Sequence, residues 1–284
     1  MAYLAELAVR GVLLGAIYGL LALPMSLTFV TVGSIDFALG AYAVLAAAVG
    51  STIGGVAGVA AGLGAALAAA AAMAAIFAGL KRVGVDEPIT ISLASFGLAV
   101  AIGSLILWVW GTRAFVLHSF DDVWVLLGIR VGPQSLINFA VSLLLLAVIH
   151  FLLYRTGLGR MMRAAAINPA GAELSGIPVT TLQTGTFVSG GLLGGIAGVL
   201  ILFSAGLDFT AGLSLTLSGF GAAILFGAHG PLRAFLGGIL MGVVEALSAG
   251  LASGAVSAMV PLVVIMVVLA AGTVGGVRFS GDRP

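Results

Sequence analysis

The 284-residue chain has no cysteine, a single lysine (Lys81) and few charges of either sign: 7% of residues are charged, 11 basic against 10 acidic. Each scarcity excludes something. Without cysteine there are no disulfides, no thiolate metal sites and no Cys nucleophile. A soluble domain carries about 25% charged residues, so an ordinary soluble enzyme is excluded. A net charge of +1 removes the case for nucleic-acid binding. What is present is apolar: 61% of residues are hydrophobic and 43 are glycine. In a polar chain that much glycine would suggest disorder. Among Leu, Val and Ala it marks helix packing, because small residues let helix backbones approach closely. At about 20 apolar residues per crossing, the chain has room for roughly eight to ten crossings and almost no extramembrane domain. One all-α, polytopic transmembrane domain spanning residues 1–284 is expected.

Apolar runs cover residues 7–30, 37–80 (two crossings if 50–55 turns), 89–111, 136–154, 182–205 and 213–276. The last is broken at His229-Gly230-Pro231 and near Ser253-Gly254. These make a bundle of about eight or nine helices at one crossing per run of spanning length. Lys and Arg are retained in cytoplasmic loops. With nine helices, Lys81, Arg82, Arg155, Arg160, Arg163, Arg233, Arg278 and Arg283 share one side, and Arg10, Arg113 and Arg130 the other. The expectation is an amino terminus outside and a carboxyl terminus in the cytoplasm. No small-residue cleavage site follows a basic start, so the first run should stay as a helix. The longest outer connection, 112–135, holds His118, Asp121, Asp122, Trp124 and Arg130. It reads as a solvated loop with an interfacial Trp or as a docking surface for an external protein.

The cytoplasmic loop, about 155–180, has clear punctuation. Asn168 is a good N-cap, Pro169 suits the first helical position, Gly176 can take the left-handed turn that ends a helix, and Pro178 forbids continuation. A short helix over 169–175 follows, about 10 Å long at 1.5 Å per residue. It is too short to span and too polar for the bilayer core. Glu173 and an apparently buried Leu174 are its candidate contact residues. It is either a connector or a surface offered to a soluble partner.

Gly11, Gly15 and Gly19 form one small-residue ridge, and Gly190, Gly194 and Gly198 another. Such ridges are primarily packing devices. The two segments align, and each is followed by Asp-Phe-x-x-Gly: Asp36-Phe37 to Gly40 and Asp208-Phe209 to Gly212. This is either chance in a Gly- and Leu-rich chain or an inverted repeat, the arrangement that places a pathway at the repeat interface. Carboxylates in apolar runs are costly unless they face a cavity or a partner. Asp36 and Glu245, with Phe37 beside the former, are therefore candidates for a translocation path; otherwise they cap a helix and reach headgroups. His118, His150 and His229 are isolated, so no metal site is expected. No Ser-His-Asp or paired-carboxylate spacing supports catalysis.

Three segments resemble a known family. Arg163-Ala164-Ala165-Ala166 with Asn168, Glu173-Leu174 and Gly176-Ile177 looks like the cytoplasmic coupling loop of permease subunits of bacterial ATP-binding-cassette importers, in the branched-chain amino acid branch. The run from Gly33 to Gly40 is similar to that branch's Asn-Phe-Ala-His-Gly signature. Gly237 to Leu247 resembles its Gly-rich late helix ending in Glu-Ala-Leu. Asp36 and Leu39 depart from the usual Asn and His, and an Asp there is shared with sugar permeases. The resemblance implies a permease subunit in the bacterial inner membrane, importing branched-chain amino acids or similar small polar solutes by alternating access. It implies coupling through Asn168, Pro169, Glu173, Leu174 and Gly176 to two ATP-binding subunits. It also implies a second homologous permease or second copy, and an extracytoplasmic solute-binding protein. The chain has no Gly-Lys-Ser or Gly-Lys-Thr phosphate loop, since Lys81 stands between Leu80 and Arg82. ATP and magnesium are therefore expected on the partners, with no cofactor here. The alternatives are a sugar-type permease and an autonomous ion-coupled transporter or channel.

Overall fold

Apolar stretches can satisfy their backbone polar groups in a bilayer only as helices or closed barrels, and helices are what most of this chain forms. The computed structural model describes residues 2–117, 124–126, 129–228, 230–251, 259, 262–268 and 270. The helices are α1 (Ala2–Val32), α2 (Leu39–Ile53), α3 (Gly55–Arg82), α4 (Pro88–Trp110), α5 (Pro133–Arg155), α6 (Gly157–Ile167), α7 (Pro169–Leu174), α8 (Val179–Leu202), α9 (Ala211–Leu225) and α10 (Pro231–Leu251). One short hairpin departs from the all-α expectation: β1 (Trp124–Leu126) pairs antiparallel with β2 (Ile129–Val131) in the outer connection. That connection is tied down by a bridge between Phe115 and Leu207.

Helices α1, α3, α4, α5, α8 and α10 are long and apolar enough to cross a membrane. Helices α2 and α9 have 15 residues each, about 22 Å against a hydrocarbon core of about 30 Å. Each is preceded by a non-helical stretch, residues 33–38 and 203–210. The turn joining α2 to α3 rests on Gly54 and Gly55, at φ 71° and 60°, which only glycine adopts readily.

Of the six spanning helices, α1 and α8 are mostly buried, while only a minority of residues in α3, α4, α5 and α10 are. Helix α1 lies antiparallel to α10, with Gly11 against Val243, Gly15 against Gly238 and Gly19 against Phe235. A Cβ on Gly11 would come within 2.6 Å of the Val243 Cα. Helix α1 also runs parallel to α9: Leu21 meets Gly219, and Ser26 donates to the Ala228 carbonyl at 2.7 Å. Helix α8 repeats this arrangement, antiparallel to α3 through Gly191 and Gly195 and parallel to α2 through Gly194 and Gly198. Helices α1 and α8 are themselves antiparallel, with Pro24 near Gly190 and Thr31 near Gln183 and Thr186. Units α1–α3 and α8–α10 thus have the same packing in opposite directions. They are interlocked, because each unit's central helix is covered by the other unit's remaining two.

The glycine alignment is corrected by one residue. The α1 face bearing Gly11 and Gly15 corresponds to the α8 face bearing Gly191 and Gly195, since these meet α10 and α3 respectively. Gly190 is not a close-contact position; a Cβ there would meet nothing nearer than 3.7 Å. Sequence similarity aligned glycines, whereas packing aligns faces.

Candidate functional site

At the centre of the bundle the half-helices α2 and α9 meet at their amino ends. A Cβ on Gly40 would run into the Gly212 carbonyl oxygen, and the Gly40 N–H donates to Thr216 Oγ1 at 2.9 Å. Two positive helix-dipole ends therefore face each other, an arrangement that negative charge relieves. Each end carries an aspartate. Asp36 Oδ1 accepts the Ala38 N–H at 3.0 Å; Asp208 Oδ1 accepts the Thr210 and Ala211 N–H groups at 2.8 and 3.0 Å. Asp36 thus holds the turn before α2 rather than capping the helix, whose first position follows Ala38 with no side-chain cap, and it is only 2% exposed. Its Oδ2 faces Gly190, with the Tyr42 hydroxyl as the polar group beside it. The preceding backbone is held by α4: Phe37 N–H donates to Ser95 Oγ at 2.9 Å and Ile35 N–H to Ser92 Oγ at 3.1 Å. Neither serine stood out in the sequence.

Phe37 points elsewhere. With Phe96, Ala41, Phe209 and Leu213 it lines an apolar cavity of about 160 Å³ between α2, α4 and α9, and its ring meets Phe96 edge-on at 6.0 Å. The phenylalanines of both Asp-Phe-x-x-Gly segments thus share one cavity. Glu245 belongs to another cluster, with Tyr18 of α1 and Ser218 of α9. The structure therefore does not unite Asp36 and Glu245. A larger cavity of about 500 Å³ is lined by Arg10, Leu14, Ser135, Asn138 and Ser204, where Arg10 pairs with Glu6 at 2.7 Å.

The far end of the bundle carries the polar loop. Asn168 Oδ1 accepts the Gly171 N–H at 3.0 Å, capping α7, and Pro169 takes its first position. Gly176, at φ 80°, closes it, with Ile177 N–H donating to the Ala172 carbonyl at 3.0 Å. The helix ends one residue before the expected 175. Helix α6 was not anticipated; its signal was Thr156, whose Oγ1 accepts the Gly159 N–H at 3.2 Å. Ala165, Ala172, Val179 and Leu182 make a small core that fixes α6 and α7 to the start of α8. Leu174 corrects its expected burial: it is 91% exposed, because the short helix turns Ala172, not Leu174, inward. Glu173 lies 3.8 Å from Lys81.

The same end gathers the basic residues. Lys81 bonds Gln183, Arg163 stacks on Tyr154, and Gly230, next to the start of α10 with Arg233, lies against Tyr154. Arg10 and Arg113 lie at the opposite end, near Ser204 and Trp110. His150 stacks on Tyr154 with ring centroids 4.6 Å apart. His118, Asp121, Asp122, His229, the Ser253-Gly254 break, Arg278 and Arg283 lie outside the described residues, as does the Arg130 side chain. Among the described residues no group of three or more His, Cys, Asp or Glu could hold a metal ion.

Two interlocked, oppositely directed units with broken helices meeting mid-bundle define a multi-pass membrane transport protein, a construction that places irregular backbone where a pathway passes. The chain belongs to the family of branched-chain amino acid transport system permease components, whose model matches residues 7–269. It is 28% identical over 242 residues to the probable branched-chain amino acid transport permease protein LivH of Methanocaldococcus jannaschii, covering 80% of this chain and 76% of that one. Over 272 residues it is 26% identical to the high-affinity branched-chain amino acid transport system permease protein LivH of Escherichia coli K12, covering 87% and 86%. A guanosine permease protein of Bacillus subtilis is 31% identical over 102 residues, covering 34% and 31%. No solved structure matches. The family consists of permease subunits of ABC transporters, which work with ATPase partners.

Proposed function

We propose that this chain is the inner-membrane permease subunit of an importer for branched-chain amino acids, with its amino terminus outside and its carboxyl terminus in the cytoplasm. Helix α7 carries this reading: a capped, six-residue helix with a fully presented leucine, at the end of the bundle where the basic residues collect. Positive residues are retained on the cytoplasmic side, so α7 faces the compartment that supplies ATP. Residues Asn168, Pro169, Glu173, Leu174 and Gly176 form the coupling element within a loop of about 155–180. Two ATPase subunits, carrying ATP and magnesium, close against it. A second homologous permease or another copy completes the membrane unit, and a solute-binding protein delivers the solute outside. Phe37 lines the path with Phe96 and Phe209, which offer an aliphatic side chain an apolar wall. Asp36 and Glu245 lie away from that wall, in two separate polar clusters with Tyr42 and Tyr18 respectively.

Co-expression with ATPase and binding-protein subunits from the same source tests this directly. The tagged permease should retain the ATPase subunits, and leucine, isoleucine or valine uptake should require ATP hydrolysis. Uptake that persists without ATP would sink the importer reading. Orientation has its own test, which the cysteine-free chain makes clean. Cysteines replacing Arg82 or Arg160 should resist an impermeant external thiol reagent, and one replacing the exposed Trp124 should react. External labelling at position 160 would reverse the topology.

A further inference from the structure

We propose that Lys81 is a positioning residue that ties the coupling helix to the transmembrane core; this rests on α7 being the ATPase-facing element. Lys81 occupies the last turn of α3, and its ammonium donates to Gln183 Oε1 of α8 at 2.9 Å. The Gln183 amide then donates to the Thr31 carbonyl of α1, also at 2.9 Å. On its other side Lys81 faces Glu173 of α7 at 3.8 Å. Lys81 therefore joins α7 and α3 to α8, and Gln183 extends the connection to α1.

Three observations set this chain of contacts apart from an ordinary solvated lysine. A lysine at a helix end ordinarily extends its charge into water, yet the Lys81 side chain is only 25% exposed and turns inward to an amide. Gln183 is buried and has both ends of its amide engaged. The Thr31 carbonyl lies in the last turn of α1, where helix carbonyls lack an intrahelical donor, so Gln183 satisfies a group that would otherwise be stranded.

The two contacts of Lys81 differ in kind. Its bond to Gln183 is of normal length and shielded. Its pairing with Glu173 is long, and the Glu173 side chain is 54% exposed, so that pair can form and break as α7 shifts. Lys81 is thus anchored on the transmembrane side and sensitive on the α7 side. Thr31 precedes by only a few residues the stretch 33–38 that carries Asp36 and Phe37. A displacement of α7 therefore reaches the α1–α2 break through Glu173, Lys81, Gln183 and Thr31.

The test uses the assembled permease–ATPase complex in proteoliposomes and reads solute moved per ATP hydrolysed, together with the amount of ATPase retained. Lys81→Met should retain the ATPase subunits while solute moved per ATP falls about tenfold, the scale expected for losing a hydrogen bond to a charged group. Gln183→Leu should act alike, Lys81→Arg should keep much of the coupling, and Lys81→Glu with Glu173→Lys should recover part of what Glu173→Lys alone loses. A wild-type ratio in Lys81→Met overturns the proposal. So does a fall in uptake and hydrolysis together, in proportion to folded permease, or a charge swap with no recovery. Failure of the unmutated permease to retain any ATPase would instead overturn the functional reading, and this inference with it.

Discussion

Permeases carrying Leu174→Asp or Gly176→Val enter the membrane at wild-type levels and fail to drive solute uptake. Leu174 is 91% exposed on a helix only six residues long, so replacing it removes no internal packing. In a partner's groove a leucine side chain contributes about 1.5–3 kcal/mol on burial, and its replacement by a charge should weaken ATPase attachment by roughly tenfold to a hundredfold. Gly176 acts through the backbone. At φ 80° a β-branched residue is strained by about 1–2 kcal/mol. The cap that sets the direction of α7 then opens, although nothing stands within 4 Å of the position a Cβ would take. Membrane fractionation, ATPase pull-down and uptake, measured on the same preparations, separate insertion from coupling. If both variants bind ATPase subunits and import solute as the wild type does, α7 is a passive connector.

The second large effect is on folding. Gly40→Val should leave little intact permease, since the new side chain would run into the Gly212 carbonyl and lie 2.7 Å from Thr216 Oγ1 even at its Cβ. Overpacking of a well-packed interior costs about 1–3 kcal/mol and occasionally more. Here the obstacle is backbone on a second half-helix that cannot retreat without uncovering α1. The hydroxyl of Thr216 that caps the Gly40 N–H is displaced at the same time. Gly64→Ala is the matched control: nothing lies within 4 Å of that position on α3, and alanine is favoured over glycine in a helix by about 1 kcal/mol. Thermal stability in detergent, followed by size-exclusion fluorescence, should drop for Gly40→Val and hold or rise for Gly64→Ala. Equal stability of Gly40→Val and wild type would mean that the half-helices do not meet as described.

The sequence by itself determined the membrane class, the helical character of the chain and the punctuation of α7. These are local matters: run length against bilayer thickness, and Asn168, Pro169 and Gly176 at their caps, depend on residues within a few positions of each other. It also grouped Lys81, Arg163 and Arg233 at one end and Arg10 and Arg113 at the other, because helix parity needs no knowledge of packing. Only the tertiary structure decided which faces meet. The glycine ridges of α1 and α8 look equivalent in sequence, but their partners show the correspondence lies one residue further on, since a helix face is defined by its neighbour. Leu174 seemed buried from its apolar character, and the direction of a single helical turn put it outside. Ser92, Ser95, Thr216 and Gln183 are unremarkable as letters. They matter because broken helices strand backbone groups far apart in the chain, and only the folded bundle brings a side chain to each.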